Sequence, residues 1–190
     1  MSEKTPDRRA SLWLIGALCI APVAASYFAY YVMPPGGHTN YGELMSVPPL
    51  PDVRLRLVDG APFHLSQLRG KCVLLMADSA RCDEACQRKL FTLRQLRLTQ
   101  GKDMERIERA WLISDDTALP DALMNDSRGT WLVRAAASEL LKRLPAERPL
   151  AEYIYIIDPL GNLVLRYGPG AEPGKMIKDL TRLLNTSRIG

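Results

Sequence analysis

The stretch that most constrains this chain runs from Cys72 to Leu90 and carries three of its four cysteines. It opens with a short apolar run, 72–77, that follows a glycine and a lysine, and this pattern predicts a buried strand. A polar turn comes next, and then Cys82 and Cys86 stand four residues apart. The leucines at 90, 93, 96 and 98 recur near the helical period with basic residues between them, which predicts an amphipathic helix.

This order of strand, turn, thiols and helix puts both cysteines at the beginning of a helix. The helix dipole favours thiolate over thiol there, so Cys82 and Cys86 are candidate catalytic nucleophiles and candidate metal ligands. Nearby charges act in opposite directions, because Arg81 stabilises a thiolate whereas Asp83 and Glu84 oppose it. We expect the two sulfur atoms to lie side by side at the surface, at the C-terminal end of the strand.

The other two cysteines have a different context. Cys19 lies in an apolar segment and Cys72 inside the predicted strand, so both are expected to be small buried hydrophobic residues. The net charge is +4, and the basic residues alternate with acids along the chain. This distribution is typical of solvated helix faces, so we predict no nucleic-acid-binding patch.

Residues 11–33 carry no charge. This length is sufficient to cross a bilayer as a helix, and Trp13 near one end and tyrosines near the other suit the membrane interfaces. Residues 1–10 contain a lysine and two arginines, and the next Lys or Arg after the segment is Arg54. The positive-inside rule therefore predicts a cytoplasmic N-terminus and a single-pass protein of the bacterial inner membrane, with its domain in the periplasm.

A cleaved signal peptide is the alternative for this segment. Val23-Ala24-Ala25 offers a site for a signal peptidase, but the apolar run continues well past it, which favours an uncleaved anchor. A lipoprotein signal fits less well, because Leu18 precedes Cys19 where a small residue is required. The Pro- and Gly-bracketed residues 34–50 are expected to form an extended linker to a folded domain over 51–190.

Helical and strand patterns alternate within residues 51–190. In order they predict a hairpin over 53–65, the strand at 72–77, the helix that carries the thiols, a strand at 109–114, a weak helix at 119–124, a short strand at 130–134, a helix at 135–144, hairpin strands at 152–157 and 163–167, and a closing helix at 175–184. Consecutive β-α-β units imply parallel strands, and the last hairpin adds antiparallel ones. The predicted fold is α/β and thioredoxin-like, with a mixed central sheet flanked by helices.

Three motifs together resemble the Sco/SenC proteins, which are membrane-anchored, thioredoxin-fold factors of cytochrome c oxidase assembly. They are Leu65-Ser-Gln-Leu-Arg-Gly-Lys71, Cys82-Asp-Glu-Ala-Cys86, and Asp158-Pro-Leu-Gly-Asn162 followed by Tyr167-Gly168. The CxxxC spacing is the most specific of these motifs, because ordinary thioredoxins use CxxC. The resemblance implies that Cys82 and Cys86 hold copper.

One part of the family pattern is missing. The third copper ligand in Sco/SenC proteins is a histidine just before the penultimate strand, and the corresponding residue, eight before Asp158, is Leu150. The two histidines of the chain, His38 and His64, both precede the cysteines, and only a hairpin folded over the site would bring His64 to it. Because thiolates suit Cu(I) and Cu(II) prefers nitrogen, we expect Cu(I) to bind and Cu(II) to be held poorly.

Two function classes follow. The first is an assembly factor that delivers Cu(I) or keeps copper-site cysteines reduced, with a cytochrome c oxidase subunit or another copper or thiol protein as partner. The second is an enzyme, a general periplasmic thiol–disulfide oxidoreductase. There are two weaker interpretations. One is a scaffold without chemistry. The other is a disulfide that only stabilises the start of the helix, and it is weaker because closing so short a loop adds little stability.

Overall fold

The computed structural model describes residues 8–32 and 40–186. The chain divides into two compact units, Met1–Thr39 and Asn40–Gly190. In the first unit, helix α1 covers Arg8–Val32 and contains Pro22. Its apolar side chains, among them Trp13 and Leu18, are exposed.

The helix expected over 11–33 is therefore present, but the structure does not support the expected bilayer crossing. In the part of the chain that the structure describes, none of the helices combines the length and the apolar character that such a crossing requires.

The second unit is built on a mixed sheet. Its strands are β1 Glu43–Leu44, β2 Leu55–Leu57, β3 Pro62–Phe63, β4 Cys72–Asp78, β5 Ile107–Ile113, β6 Trp131–Arg134, β7 Ile154–Ile157 and β8 Leu163–Tyr167. Its helices are α2 Glu84–Leu98, α3 Asp121–Asp126, α4 Glu139–Arg143 and α5 Pro173–Thr186, with 3-10 turns at Leu65–Leu68, Gly101–Arg106 and Leu150–Glu152. Over the described residues the strand order is β1-β8-β7-β4-β5-β6-β2-β3.

The central strand β4 pairs in parallel with β5 and antiparallel with β7. β5 is in turn parallel to β6, and β7 forms an antiparallel hairpin with β8. Both β4 and β5 are apolar along nearly their whole length because helices cover both sides of the sheet. The predicted thioredoxin-like α/β fold is thereby confirmed.

Side chains of β4 alternate between two hydrophobic clusters. Cys72, Leu74 and Met76 belong to the cluster beneath α2 and α5, which we call the α2 face. Val73, Leu75 and Ala77 belong to the cluster beneath α4, which we call the α4 face. This period of two is what an extended strand imposes on a buried sheet.

Two boundaries differ from those that the sequence pattern predicts. The helix expected over 135–144 is confined to α4, because Ser138 caps it by accepting a hydrogen bond from the Leu141 amide at 3.3 Å. The compact unit begins at Asn40 rather than at 51, because residues 43–44 of the expected linker form β1 and pair with β8.

A buried carboxylate holds this early segment in place. Asp179 on α5 accepts hydrogen bonds from the amides of Tyr41 at 3.0 Å and Gly42 at 2.7 Å, and from the Tyr167 hydroxyl at 3.1 Å. Burial and the neighbouring Asp179 carboxylate raise the pKa of Tyr167, so the hydroxyl stays a donor. A Cβ at position 42 would lie 2.6 Å from the ring of Tyr167, so this position requires glycine.

Replacing Asp179 with Asn should destabilise the domain. An amide has a single acceptor oxygen, so at least one of its present donors loses its partner, and we expect a loss of roughly 2 kcal/mol or more in the free energy of unfolding. Urea unfolding of the full chain, followed by circular dichroism, measures it. Asp116→Asn is the matched control, since Asp116 is exposed. Equal midpoints for the two variants would exclude a role for Asp179 in holding residues 40–44.

Candidate functional site

Cys82 and Cys86 are joined by a disulfide, with their Cα atoms 5.0 Å apart. Cys82 lies in the turn after β4, and Cys86 lies in the first turn of α2. The expected side-by-side arrangement at the C-terminal end of the central strand is confirmed. The expected position at the surface is wrong, because Cys82 is only 3% exposed and Cys86 is fully buried in the core of the α2 face.

The burial of Cys86 follows from the way that α2 begins. Asp83 is the N-cap residue, and its carboxylate accepts a hydrogen bond from the Cys86 amide at 2.9 Å. With the helix started there, Cys86 occupies the same stripe as Leu93 and Leu96, seven and ten residues later, and this stripe packs on the sheet. The spacing of Cys86 to the buried leucines is the sequence signal that predicts its burial.

Cys82 has a backbone conformation that non-glycine residues rarely adopt. Its φ is +38°, and its amide donates to the Ser79 carbonyl at 3.1 Å across the turn. Left-handed backbone costs an L-residue about 1–2 kcal/mol. The neighbouring structure maintains this conformation, since the Gln87 side-chain amide also donates to the Cys82 carbonyl at 3.2 Å.

The loop after β5 holds the turn that precedes Cys82. The carboxylate of Asp115 accepts hydrogen bonds from the Ser79 hydroxyl, from the Ala80 amide at 3.3 Å and from the Thr117 amide at 3.2 Å. The hydrogen bond from Ser79 is the main reason that the pKa of Asp115 lies below its usual value. Asp115 thereby fixes the route of the chain from the central strand to the disulfide.

A second polar link ties α2 to the end of β4. Lys89 Nζ lies 2.6 Å from the Asp78 carboxylate, and both side chains are largely buried. The same ammonium group donates to the carbonyl of Ala151, in the turn before β7. Because removing one partner of a buried ion pair leaves an uncompensated charge, this pair constrains the first turns of α2 against the sheet.

The position corresponding to the copper-ligand histidine lies at the same end of the sheet as the cysteines. β7 runs antiparallel to β4 and begins with Ile154 opposite Met76, so the preceding turn, Leu150–Glu152, lies beyond the C-terminal end of β4. The side chain of Leu150, however, packs against the cluster of the α4 face, whereas both cysteines belong to the α2 face.

His64 brings no nitrogen to the disulfide in the described structure. His64 caps the turn Leu65–Leu68, and its neighbours Phe63 and Leu65 are buried on the α4 face. His38 lies outside the described residues. Within residues 8–32 and 40–186, no cluster of three His, Cys, Asp or Glu side chains is suited to hold a metal ion.

A groove of about 530 Å³ opens beside Cys82. Phe91 and Leu90 of α2 contribute to its apolar part. Arg81 and Arg94 add positive charge to its walls, and Asp126 adds one negative charge. Of the two bonded cysteines, Cys82 lines this groove and Cys86 does not. Cys82 is therefore the cysteine that borders the groove.

The remaining cysteines take no part in this site. Cys72 is buried in β4 as expected, and burial raises the pKa of its thiol to about 12, so it stays protonated and unreactive at neutral pH. Cys19 is exposed on α1, contrary to the prediction that it is buried, in keeping with the exposed apolar side chains of that helix.

Comparison with known proteins identifies relatives of the domain. The family model described as transmembrane-like, thioredoxin-like, C-terminal domain matches residues 72–187. No curated protein matches the sequence.

Three solved structures illustrate the likeness in fold. Yeast Sco1 with copper bound has a TM-score of 0.59 and 14% identity, covering 79% of this chain and 96% of that one. Copper-bound ScoI from Bradyrhizobium japonicum has a TM-score of 0.54 and 19% identity, covering 73% of this chain and 99% of that one. MTB dsbF, in mixed oxidized and reduced forms, has a TM-score of 0.57 and 16% identity, covering 73% of this chain and 99% of that one. At these identities the likeness establishes a shared fold, the Sco-like thioredoxin fold.

Asp115→Asn should destabilise the chain in a pH-dependent way. Because the folded-state pKa of Asp115 is depressed, its carboxylate adds stability above the unfolded-state pKa, and this stability is lost as the pH falls through the folded-state pKa. The wild type should therefore exceed the variant in unfolding free energy at pH 7, and the gap should narrow below about pH 4. Urea unfolding at several pH values measures the gap, with Asp116→Asn as control. A gap that does not change with pH would contradict the proposed link.

Proposed function

Since the chain belongs to the family of transmembrane-like, thioredoxin-like C-terminal domains, we propose that it is a thiol–disulfide exchange protein that works through Cys82 and Cys86. One observation carries the proposal. The two cysteines are bonded to each other at the C-terminal end of the central strand, and although both are buried, Cys82 lines an open groove and Cys86 does not. This arrangement separates an attacking sulfur from a resolving sulfur.

The exchange runs in two steps when the pair is reduced. The Cys82 thiolate attacks one sulfur of a partner's disulfide, forming a mixed disulfide and releasing the partner's other sulfur as a thiolate, which takes up a proton. The Cys86 thiolate then attacks the Cys82 sulfur, so the Cys82–Cys86 bond forms and the partner leaves with its second thiol. The partner gains two electrons, and a separate dithiol protein must reduce Cys82–Cys86 before the next cycle.

Local structure supports each step. The N-terminal end of α2 stabilises negative charge on the sulfur atoms, and Arg81 and Arg94 add positive charge to the groove of Cys82. Cys86 reacts only with a sulfur that is already attached to its neighbour, because its burial keeps other disulfides away. The Asp115 and Lys89 links hold the two sulfurs in range throughout.

The substrate that we propose is the oxidised copper-site cysteines of a cytochrome c oxidase subunit. The support is the resemblance of the CxxxC motif and its flanking motifs to the Sco/SenC proteins, together with the Sco-like fold. A general thiol–disulfide oxidoreductase with broad substrates is the competing proposal, and the fold likeness to MTB dsbF is compatible with it. Rates with an oxidase copper-site peptide and with insulin, both oxidised, distinguish the two.

A second candidate function is Cu(I) delivery by the reduced pair. Opening the disulfide yields two adjacent thiolates, a donor set that fits Cu(I) in low coordination. It does not fit Cu(II), because among the described residues no nitrogen ligand accompanies the sulfurs. Copper would then be cargo, received and released at the groove of Cys82.

We further propose that α1 anchors the chain in the bacterial inner membrane, with residues 1–10 in the cytoplasm and the domain in the periplasm. The uncharged residues 11–33 and the basic residues before them support this placement, as do the exposed apolar side chains of α1. The described part of α1 does not by itself meet the requirements for a bilayer crossing, so the placement rests on the sequence.

The order of attack is testable with alanine variants in the full chain. Cys86→Ala should accumulate a mixed disulfide between Cys82 and an oxidised substrate peptide, because nothing resolves it, whereas Cys82→Ala should form none. Both should lower turnover by at least ~100-fold. Cys72→Ala is the control and should retain turnover. Non-reducing gels and mass spectrometry identify the adduct. An adduct on Cys86 in the Cys82→Ala chain would reverse the assigned roles.

Copper binding is tested by anaerobic titration of the reduced full chain. One Cu(I) should bind per chain and should be lost in Cys82→Ala and in Cys86→Ala but not in Cys72→Ala. Cu(II) should instead take one electron per ion from the thiols, so two Cu(II) ions yield two Cu(I) and the Cys82–Cys86 disulfide. A lasting thiolate-to-Cu(II) absorption band at one Cu(II) per chain would refute this expectation.

Membrane placement is tested with reporters fused after Gly190. Alkaline phosphatase, which needs an oxidising compartment, should be active there, whereas a reporter that works only in the cytoplasm should be inactive. Deleting residues 8–32 should move the chain out of the membrane fraction. A chain that stays in the membrane fraction after this deletion would show that another segment provides the attachment.

A further inference from the structure

A cavity of about 380 Å³ is lined by four arginines from three different elements. Arg94 and Arg97 come from α2, Arg109 comes from β5, and Arg128 comes from the segment after α3. Asp126 is the carboxylate that lines the same cavity. The cavity walls therefore carry a net positive charge.

Arg109 is the buried member of this set. It is 6% exposed, and within β5 it lies on the α2 face, like Ile107 and Trp111 on either side of it. One Nη2 hydrogen bond goes to the Arg128 carbonyl at 2.6 Å, but its Nε–H has no hydrogen-bond partner among the described residues. A buried guanidinium without an ion pair to a carboxylate is costly, and its unpaired N–H is a vacant donor site.

The adjacent acid in the strand, Glu108, compensates this charge only in part. Glu108 points to the other face of the sheet, where it pairs with Lys71 at 2.6 Å and accepts from the Trp131 indole at 3.1 Å. Burial and the nearby charges of Arg97 and Arg94 lower the pKa of Arg109. The arginines are thus close enough to repel one another.

The other guanidinium groups also lack strong acidic partners. Arg97 donates through Nε to the Ile107 carbonyl at 2.9 Å, and its closest acid is the exposed Glu105 at 3.9 Å. Arg128 donates to the Asn125 side chain at 3.0 Å. Arg94 has no hydrogen bond or ion pair with any residue in the described part of the domain. Much of the donor capacity of these arginines is available to a ligand.

Glycine at position 129 makes room for this arrangement. Its φ is +73°, and a Cβ there would lie 3.0 Å from Arg109 Nη2. Any larger residue would be strained by the backbone conformation and would also press on the buried guanidinium. The backbone is therefore shaped around Arg109 at this point.

We propose that this arginine cavity binds a phosphate group, either as the free ion or as the phosphate ester of a small molecule. A guanidinium group can donate two parallel hydrogen bonds to two oxygens of one phosphate. Because the phosphate dianion is tetrahedral, its oxygens can accept hydrogen bonds from arginines that approach from several elements. A planar carboxylate presents two oxygens and one charge, which leaves more of the cluster uncompensated. The volume lies at the low end of the range for small-molecule sites, about 300–1,000 Å³, and suits a small ligand.

The test is calorimetric titration of the full chain with inorganic phosphate and, separately, with glycerol 3-phosphate, at constant ionic strength. We expect one saturable site per chain, with acetate binding much more weakly at equal concentration. A lower Kd for glycerol 3-phosphate identifies an ester as the ligand, and a lower Kd for inorganic phosphate identifies the free ion.

Arginine variants locate the site. Arg94→Gln should raise the Kd at least ~tenfold, as should Arg109→Lys, which keeps a charge but loses the Nε donor. Arg88→Gln is the matched control, since Arg88 is an exposed arginine of the same helix that pairs with Glu84, and it should leave the Kd unchanged. If Arg109→Lys fails to fold, the exposed Arg128→Gln replaces it.

Four results would overturn the proposal, and the first three concern small anions. They are the absence of saturable binding by either phosphate compound, equal Kd values in Arg94→Gln and Arg88→Gln, and binding of acetate as tight as that of phosphate. Saturable binding of a polyglutamate peptide without any binding of phosphate would also overturn it, and would assign the arginines to an acidic protein partner.

Discussion

The parallel pairing of β4 with β5 is the constraint on which the site depends. The two strands run in register over seven residues each, from Cys72 opposite Ile107 to Asp78 opposite Ile113, so both end at the same level. The turn that follows β4 and the loop that follows β5 must therefore meet, and they do so through Ser79 and Asp115. Because the segments that follow parallel strands meet at the carboxyl edge of the sheet, few additional contacts are needed to fix the positions of the residues in a site there.

Burial determines what each cysteine is able to do. Cys86 begins the apolar stripe of α2, so the same packing that holds the helix on the sheet removes its sulfur from solvent. Cys82 lies one turn earlier, before the helix begins, and its left-handed backbone places it in the wall of the groove. The point at which α2 starts therefore determines which cysteine borders the groove and which lies in the core. Asp83, as the N-cap residue, sets that point.

Patterns of local origin could be predicted from the sequence, whereas long-range contacts could not. Local sequence patterns predict the alternating strands, the leucine stripe of α2 and the hairpin that ends at Tyr167. Strand β8, for example, has its predicted bounds. Strand β1 has no such local pattern, because two exposed residues become a strand only when Asp179, far along the chain, captures the adjacent backbone. The same limit applies to the burial of Cys82 and to Arg109, whose surroundings come from three elements, whereas the burial of Cys86 follows from its spacing to the leucines of α2.

The surroundings of the two bonded cysteines differ in charge and burial. The Asp83 carboxylate, which follows Cys82 directly in sequence, accepts a hydrogen bond from the Cys86 amide at 2.9 Å. Full burial adds a desolvation cost to a Cys86 thiolate. Cys82 shares its groove with Arg81 and Arg94, and Coulomb attraction in such a partly enclosed site exceeds that in open water. In the exchange reaction that we propose, Cys82 makes the first attack because it borders the groove, and the arginines of that groove act on the same cysteine.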